Sequence, residues 1–228
     1  MKNLVFLFLL FSMSMYAQKA EDLISKINSK FETIKDYSAD AYIKADIPML
    51  KILPNAAVIY FKKKDKFKIE SKGITVLPKQ GFTELNHFLT KKNDYIAVLG
   101  DSLVIRDRKT VLVNIIPNNS GGEMVLAKIW IDVKDFIIMR SQITTKSNGT
   151  ILIDYSYGDQ IKYGLPSEVK FEIDVKKFKI PKSVSGDINS KKKEDPKKKN
   201  KTKGTITISL SNYKINTGLK DSIFTEKK

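Results

Sequence analysis

The residues that could do chemistry are few, and their spacing does not assemble them. Gly100-Asp101-Ser102-Leu103 spells a tetrapeptide that surrounds the nucleophile of some serine esterases. That chemistry needs the serine on a strand-to-helix turn, with a histidine and an aspartate to draw off its proton. Here the tetrapeptide sits between two strand-like runs, and the one histidine, His87, lies upstream of it. A turn at Gly100-Asp101 is the plainer reading. Glu84 and His87 stand three apart on a helical pattern, which could set two metal ligands side by side. A metal site needs more ligands, and the chain has no second histidine and no cysteine. Asp101, Asp107, Asp154 and Asp159 fall at strand ends and turns, where aspartate is at home. No glycine-rich phosphate loop is present. The sequence therefore points to no catalytic residue, no metal and no cofactor, and the chain reads as a non-enzyme.

Whatever the protein does rests on its elements, and the clearest of these run from Met124 to Pro166. Ile129, Ile131 and Val133 alternate with Trp130, Asp132 and Lys134. Lys134-Asp135 turns the chain. Phe136, Ile138 and Arg140 then share one face, with Ile137, Met139 and Ser141 opposite. Ser147-Asn148-Gly149 supplies residues that tolerate positive φ, a hairpin signal. Ile151, Ile153, Tyr155 and Tyr157 line one side of the next strand. The result is an antiparallel meander with one apolar face.

Composition narrows the setting. Met1-Lys2 precedes an apolar run from Leu4 to Phe11 and small residues up to Ala17, the pattern of a secretory signal peptide cleaved near Ala17. That run is shorter than the roughly 20 apolar residues a membrane-spanning helix needs. The expectation is an exported, periplasmic, soluble domain over residues 18–228. With no cysteine, neither a disulfide nor a lipidated cysteine can form. The formal charge is +16, carried almost wholly by lysine, with Arg106, Arg108 and Arg140 as the arginines. Readers of nucleic acid favour arginine for bidentate contacts to bases, so the excess points away from nucleic acid and toward solubility or an anionic membrane surface.

The remaining elements follow from periodicity. Ala20, Leu23, Ile24, Ile27, Phe31 and Ile34 recur at helical spacing and predict one amphipathic helix over 19–35. A strand starts at Ser38. The run 47–55 is apolar but broken by Pro48 and Pro54, hence a loop. Ala56–Lys63 and Phe67–Ser71 form a hairpin. Phe82, Leu85, Phe88 and Leu89 suit a short helix. Strands are expected at Tyr95–Leu99, Leu103–Asp107 and Val111–Ile116, with turns at Gly100-Asp101 and Arg108-Lys109, then at Ser167–Val175 and Gly204–Leu210. Lys191–Lys203 has no apolar residue and cannot fold by burial. It reads as part of a disordered lysine-rich loop at about 185–203, able to meet an anionic surface. The fold class is mainly β (α+β). About ten or eleven strands with one apolar face must curl, so the expectation is a strongly curved antiparallel sheet, an incomplete barrel around the N-terminal helix and a short lid helix.

The N-terminal helix, the strands that flow from it, and the pieces Trp130-Ile131-Asp132, Tyr157-Gly158 and Gly164-Leu165-Pro166 in this order resemble the LolA/LolB/RseB superfamily. The tail Tyr213–Phe224 resembles the apolar strand that closes the sheet in such domains. The resemblance implies an open, curved sheet whose interior takes acyl chains, and so a periplasmic carrier of lipoproteins or lipids for outer-membrane sorting. A lipid-sensing module that signals to a membrane partner is the alternative. Implied partners are acyl chains and inner- and outer-membrane sorting proteins, and the protein is expected to act as a monomer. The inward candidates are Val58, Tyr60, Phe67, Ile69, Ile129, Ile131, Phe136, Ile138, Ile151, Ile153 and Tyr155. Met49, Leu50, Leu53, Phe82, Leu85, Phe88 and Leu89 are candidates for the lid and mouth. At any one of these positions, ordinary core packing is the alternative reading.

Overall fold

In the computed structural model the described residues are 19–48, 50–63, 66–71, 92–119, 121–147, 149–175 and 203–225. The signal-like N-terminus, Met49, Phe82, Leu85, Phe88, Leu89, the Glu84–His87 pair and residues 191–202 of the lysine-rich run lie outside them.

Helix α1 covers residues 19–32. It buries Ala20, Ile24 and Ile27, one apolar stripe at spacings of four and three. The strands are β1 (Asp36–Asp46), β2 (Asn55–Lys62), β3 (Lys66–Ser71), β4 (Tyr95–Ile105), β5 (Arg108–Pro117), β6 (Met124–Asp132), β7 (Ile137–Thr145), β8 (Gly149–Ser156), β9 (Glu168–Asp174) and β10 (Lys203–Ile215). They make one ten-stranded sheet in the order β3-β2-β1-β10-β9-β8-β7-β6-β5-β4. Every pairing is antiparallel. The first and last strands are neighbours, so the meander is joined where the chain begins and ends. Among the described residues it stays open between β3 and β4, which are the two edges.

The register places one apolar row across most of the sheet. Leu99 pairs with Val113, Val113 with Ile129, Ile129 with Ser141 and Ser141 with Ile153. Ile153 then pairs with Phe171, Phe171 with Ile206 and Ile206 with Ala45. Directly paired residues share a face, so this row marks the inner side. Its buried apolar members, Val113, Ile129, Ile153, Phe171 and Ile206, form one cluster with Ala20, Ile24 and Ile27 of α1. The expected incomplete barrel around the helix is the observed architecture.

Four local expectations are corrected. Gly100-Asp101 is not a turn: β4 is continuous, and the β4–β5 register shifts between Leu99 and Ser102. A Cβ at Gly100 would stand 2.7 Å from Leu112 Cδ2, so glycine lets the bulged strand lie against its neighbour. The β4–β5 hairpin turns at Arg106 (φ 48°) and Asp107 (φ 62°), not at Arg108-Lys109, which opens β5; such a positive-φ pair joins tight hairpins. In β7 the register shifts opposite Trp130 and Ile131. This leaves Met139 as the extra residue, so Ser141 faces inward and Arg140 outward, and Ile138 and Arg140 do not share a face. The C-terminal segment is no separate closing strand. Tyr213–Ile215 ends β10, and a 3₁₀ turn follows at Asp221–Ile223.

The candidate apolar interior and its seam

The inner face differs from one side to the other. On β6 to β9, Ile129, Ile131, Ile151, Ile153 and Phe171 have no exposure at all. Ile138, opposite Ile131, is also buried. These side chains are enclosed by the protein's own core. On the edge strands the cover is uneven: Tyr95 and Ala97 of β4 are buried, but Phe67 and Ile69 of β3 and Leu99 of β4 are only partly buried, as is Tyr155 on β8, although all pack against the same cluster. Leu50 and Ile52, in the irregular link between β1 and β2, pack there too and are likewise half-buried. The apolar surface thus runs from a filled wall to a less enclosed seam.

Two of the inward candidates lie on the opposite face. Val58 pairs with Asp40 and Glu70, and Tyr60 with Ser38 and Lys68, while Ala57, Ile59 and Phe61 take the inner positions. Phe61 is stacked on Tyr37, with ring centroids 5.3 Å apart. The segment Ala56–Phe61 is apolar at nearly every position, so alternation alone could not choose its inner parity. Phe136 belongs to neither strand. It sits in the β6–β7 turn at φ 49°, with the Lys26 ammonium of α1 4.4 Å from its ring centroid. Leu53 is open to solvent, at 73 % exposure.

Among the described residues the interior carries a hydroxyl pair. Ser141, fully buried, and Tyr155 stand 3.0 Å apart, oxygen to oxygen. Burial pushes the Tyr155 phenol up to about 12, because the phenolate has no water to solvate it. Tyr157 donates to the Ile138 carbonyl and Tyr213 to that of Pro166, and burial raises both phenols as well. The outer face has a smaller apolar cluster of its own, Ile105, Ile137 and Met139 with Trp130, Tyr157 and Ile161 against it, and beside it an ion pair. Arg140 grips Asp154 through Nε at 2.6 Å and Nη2 at 3.1 Å.

The residues considered for catalysis stay apart. Ser102 is exposed within β4 and paired with Val111. Asp154 is engaged by Arg140, and Asp107 forms the β4–β5 turn. Among the described residues no group of three or more His, Cys, Asp or Glu could hold a metal ion, and no helix is long and apolar enough to cross a membrane.

No protein-family model matches the sequence, and no curated protein matches it. Solved structures do resemble it in shape. One is a domain of Vibrio parahaemolyticus described as an outer membrane lipoprotein-sorting protein, with a TM-score of 0.63 and 8 % identity over 91 % of this chain and 97 % of that one. Another is a DUF1329 family protein of Desulfovibrio piger, with a TM-score of 0.58 and 11 % identity over 92 % and 97 %. A third is a LolA superfamily protein of Nitrosomonas europaea, with a TM-score of 0.52 and 11 % identity over 91 % and 97 %. At such identities the likeness is one of fold, and it agrees with the resemblance carried by the sequence: the chain has the fold of the LolA superfamily.

Proposed function

We propose that the protein is an exported, periplasmic carrier that binds the acyl chains of lipoproteins or lipids along its apolar inner face, at the seam between β3 and β4. The observation that carries this reading is the uneven cover of that face. One apolar row runs on to Leu99 on edge strand β4. Phe67 and Ile69 stand on the other edge, half-buried, with no second strand beyond them among the described residues. A fold that needed only a core would gain by enclosing them. The LolA-like fold and the signal-like N-terminus support the same assignment. An acyl chain of about 16 carbons gains at most near 12 kcal/mol by leaving water, at roughly 0.8 kcal/mol per CH₂. An open seam recovers part of that, which suits a carrier that must also release its cargo.

Native mass spectrometry of the protein exported by its own cell, followed by lipid analysis, tests this. Bound lipid in the wild type, lost in Ile69→Glu and Leu99→Glu variants that remain folded, is the expected result. A bare protein mass with no uptake of added lipid overturns the reading. Lipid bound but never passed to acceptor membranes would replace the carrier by a lipid-sensing module.

A further inference from the structure

A second site lies on the outer side of the β2–β3 corner, and it does not depend on what the apolar face binds. Lys62 and Lys66 are direct partners in the β2–β3 register. Like charges placed so are destabilising. The protein neutralises the pair with its own tail: Asp221 Oδ1 is 2.6 Å from Lys62 Nζ, and Asp221 Oδ2 is 2.9 Å from Lys66 Nζ. Lys62 also donates to the Leu219 carbonyl at 2.7 Å, and Lys68, two residues along β3, donates to that of Ile223 at 2.6 Å. The two ammonium groups hold the Asp221 carboxyl down to about 2. Two like charges set face to face, with one carboxylate clasped between them, form an anion clamp.

The occupant is held so that it can leave. Upstream, the tail is fixed by buried Asp36, which accepts from the backbone N–H groups of Thr217 and Gly218 at 2.9 Å and 3.0 Å. Asp221 itself is 64 % exposed, so its ion pairs are open to water and to competing anions.

We propose that Lys62 and Lys66 bind the phosphate of an acidic phospholipid headgroup at a membrane surface, and that Asp221 occupies their clamp when the protein is free. Phosphate offers the same pair of oxygens as the carboxylate, and a chain of charge +16 is drawn to an anionic surface. Docking there lays edge strand β3, one side of the seam, against the membrane.

Vesicle co-flotation tests this, with phosphatidylcholine alone and mixed with phosphatidylglycerol. The protein is expected on the mixed vesicles only. Lys62→Gln/Lys66→Gln should weaken that partitioning on the order of 30-fold, while Lys128→Gln/Lys170→Gln, equal in charge change but elsewhere on the sheet, should weaken it less than about threefold. Asp221→Asn should strengthen it more than the charge-matched Asp159→Asn. Equal losses in the two lysine pairs would show attraction by net charge and overturn the clamp. No gain in Asp221→Asn over Asp159→Asn would overturn the competition. Inorganic phosphate that perturbs the Lys62 and Lys66 resonances, with the protein indifferent to mixed vesicles, would make this a site for a soluble anion and overturn the membrane assignment.

Discussion

The wall of β6 to β9 and the seam of β3 and β4 use the same kinds of side chain for different ends. On the wall, Ile129, Ile153 and Phe171 are enclosed completely. At the seam, Phe67, Ile69 and Leu99 point to the same interior and keep part of their surface open. Apolar character alone therefore does not mark a binding residue. A side chain already enclosed by protein atoms has nothing further to gain from a ligand, whereas one left part-open does. Substitutions on the wall should thus be felt in stability, and substitutions at the seam in lipid uptake.

The largest expected effect is on the wall. Phe171→Ala removes a fully buried ring that pairs with Ile153 and Ile206. It should cost about 3–5 kcal/mol in urea unfolding, the transfer loss plus the cavity left behind. Ile153→Glu should prevent folding outright, since a charge there has no partner. A Phe171→Ala protein of unchanged stability that had lost lipid would reverse the division between wall and seam.

At the seam the balance should invert. Ile69→Ala and Leu99→Ala should each cost only about 1 kcal/mol, because part of each side chain is already in water. Uptake of an acyl ligand, read by native mass spectrometry, should fall several-fold in both. If the two variants lose stability as the wall variants do and keep their lipid, the seam is ordinary core.

That division is only half written in the sequence. Alternation made the meander legible, because on β6 and β8 the two faces differ sharply in polarity. It failed where both faces are apolar. Ile137, Ile138 and Met139 are all buried, so the pattern carried no sign of the bulge that turns Ser141 inward and Arg140 outward. In β2 the same ambiguity put Val58 and Tyr60 inside when Ile59 and Phe61 take those places. Gly100-Asp101 carried a turn signal, but glycine serves a bulge as well as a turn, and only packing against Leu112 tells them apart. The clamp at Lys62 and Lys66 was out of reach for another reason. It joins residues from β2, β3 and the C-terminal tail, and no local pattern links them.

A third prediction concerns three half-buried phenols: Tyr155 on the inner face of β8, Tyr157 in the outer apolar cluster and Tyr213 on β10. Tyr155 is raised to about 12, and Tyr157 and Tyr213 are raised as well, all by burial first. A raised folded pKa means that the neutral form is favoured on folding. That contribution is complete below the unfolded value near 10 and is lost as pH rises through the folded values. Between about pH 10 and pH 12 the protein should therefore lose stability, and tyrosinate absorbance should appear together with unfolding. A Tyr155 phenol that ionises reversibly near 10 with the fold intact would mean that the interior is open to water well beyond the seam.

The smallest effect should come from the back of the wall. Arg140 and Asp154 lie on the outer face, the guanidinium bound to both carboxylate oxygens and 33 % exposed, the carboxylate 18 % exposed. A two-point contact of this geometry is stronger than a single surface ion pair, yet its partial exposure keeps it near 1 kcal/mol. Arg140→Met preserves the stem that lies along the sheet and removes only the charge. It should lower stability by about 1 kcal/mol at low salt, and by less at high salt as screening weakens the wild-type pair. Lipid uptake should not change, since the bulge at Met139 turns this residue away from the interior. A loss of uptake in Arg140→Met would mean that Arg140 reaches the inner face in the working protein. The β7 register would then have to differ from the one that makes Ser141 the polar residue of the apolar row.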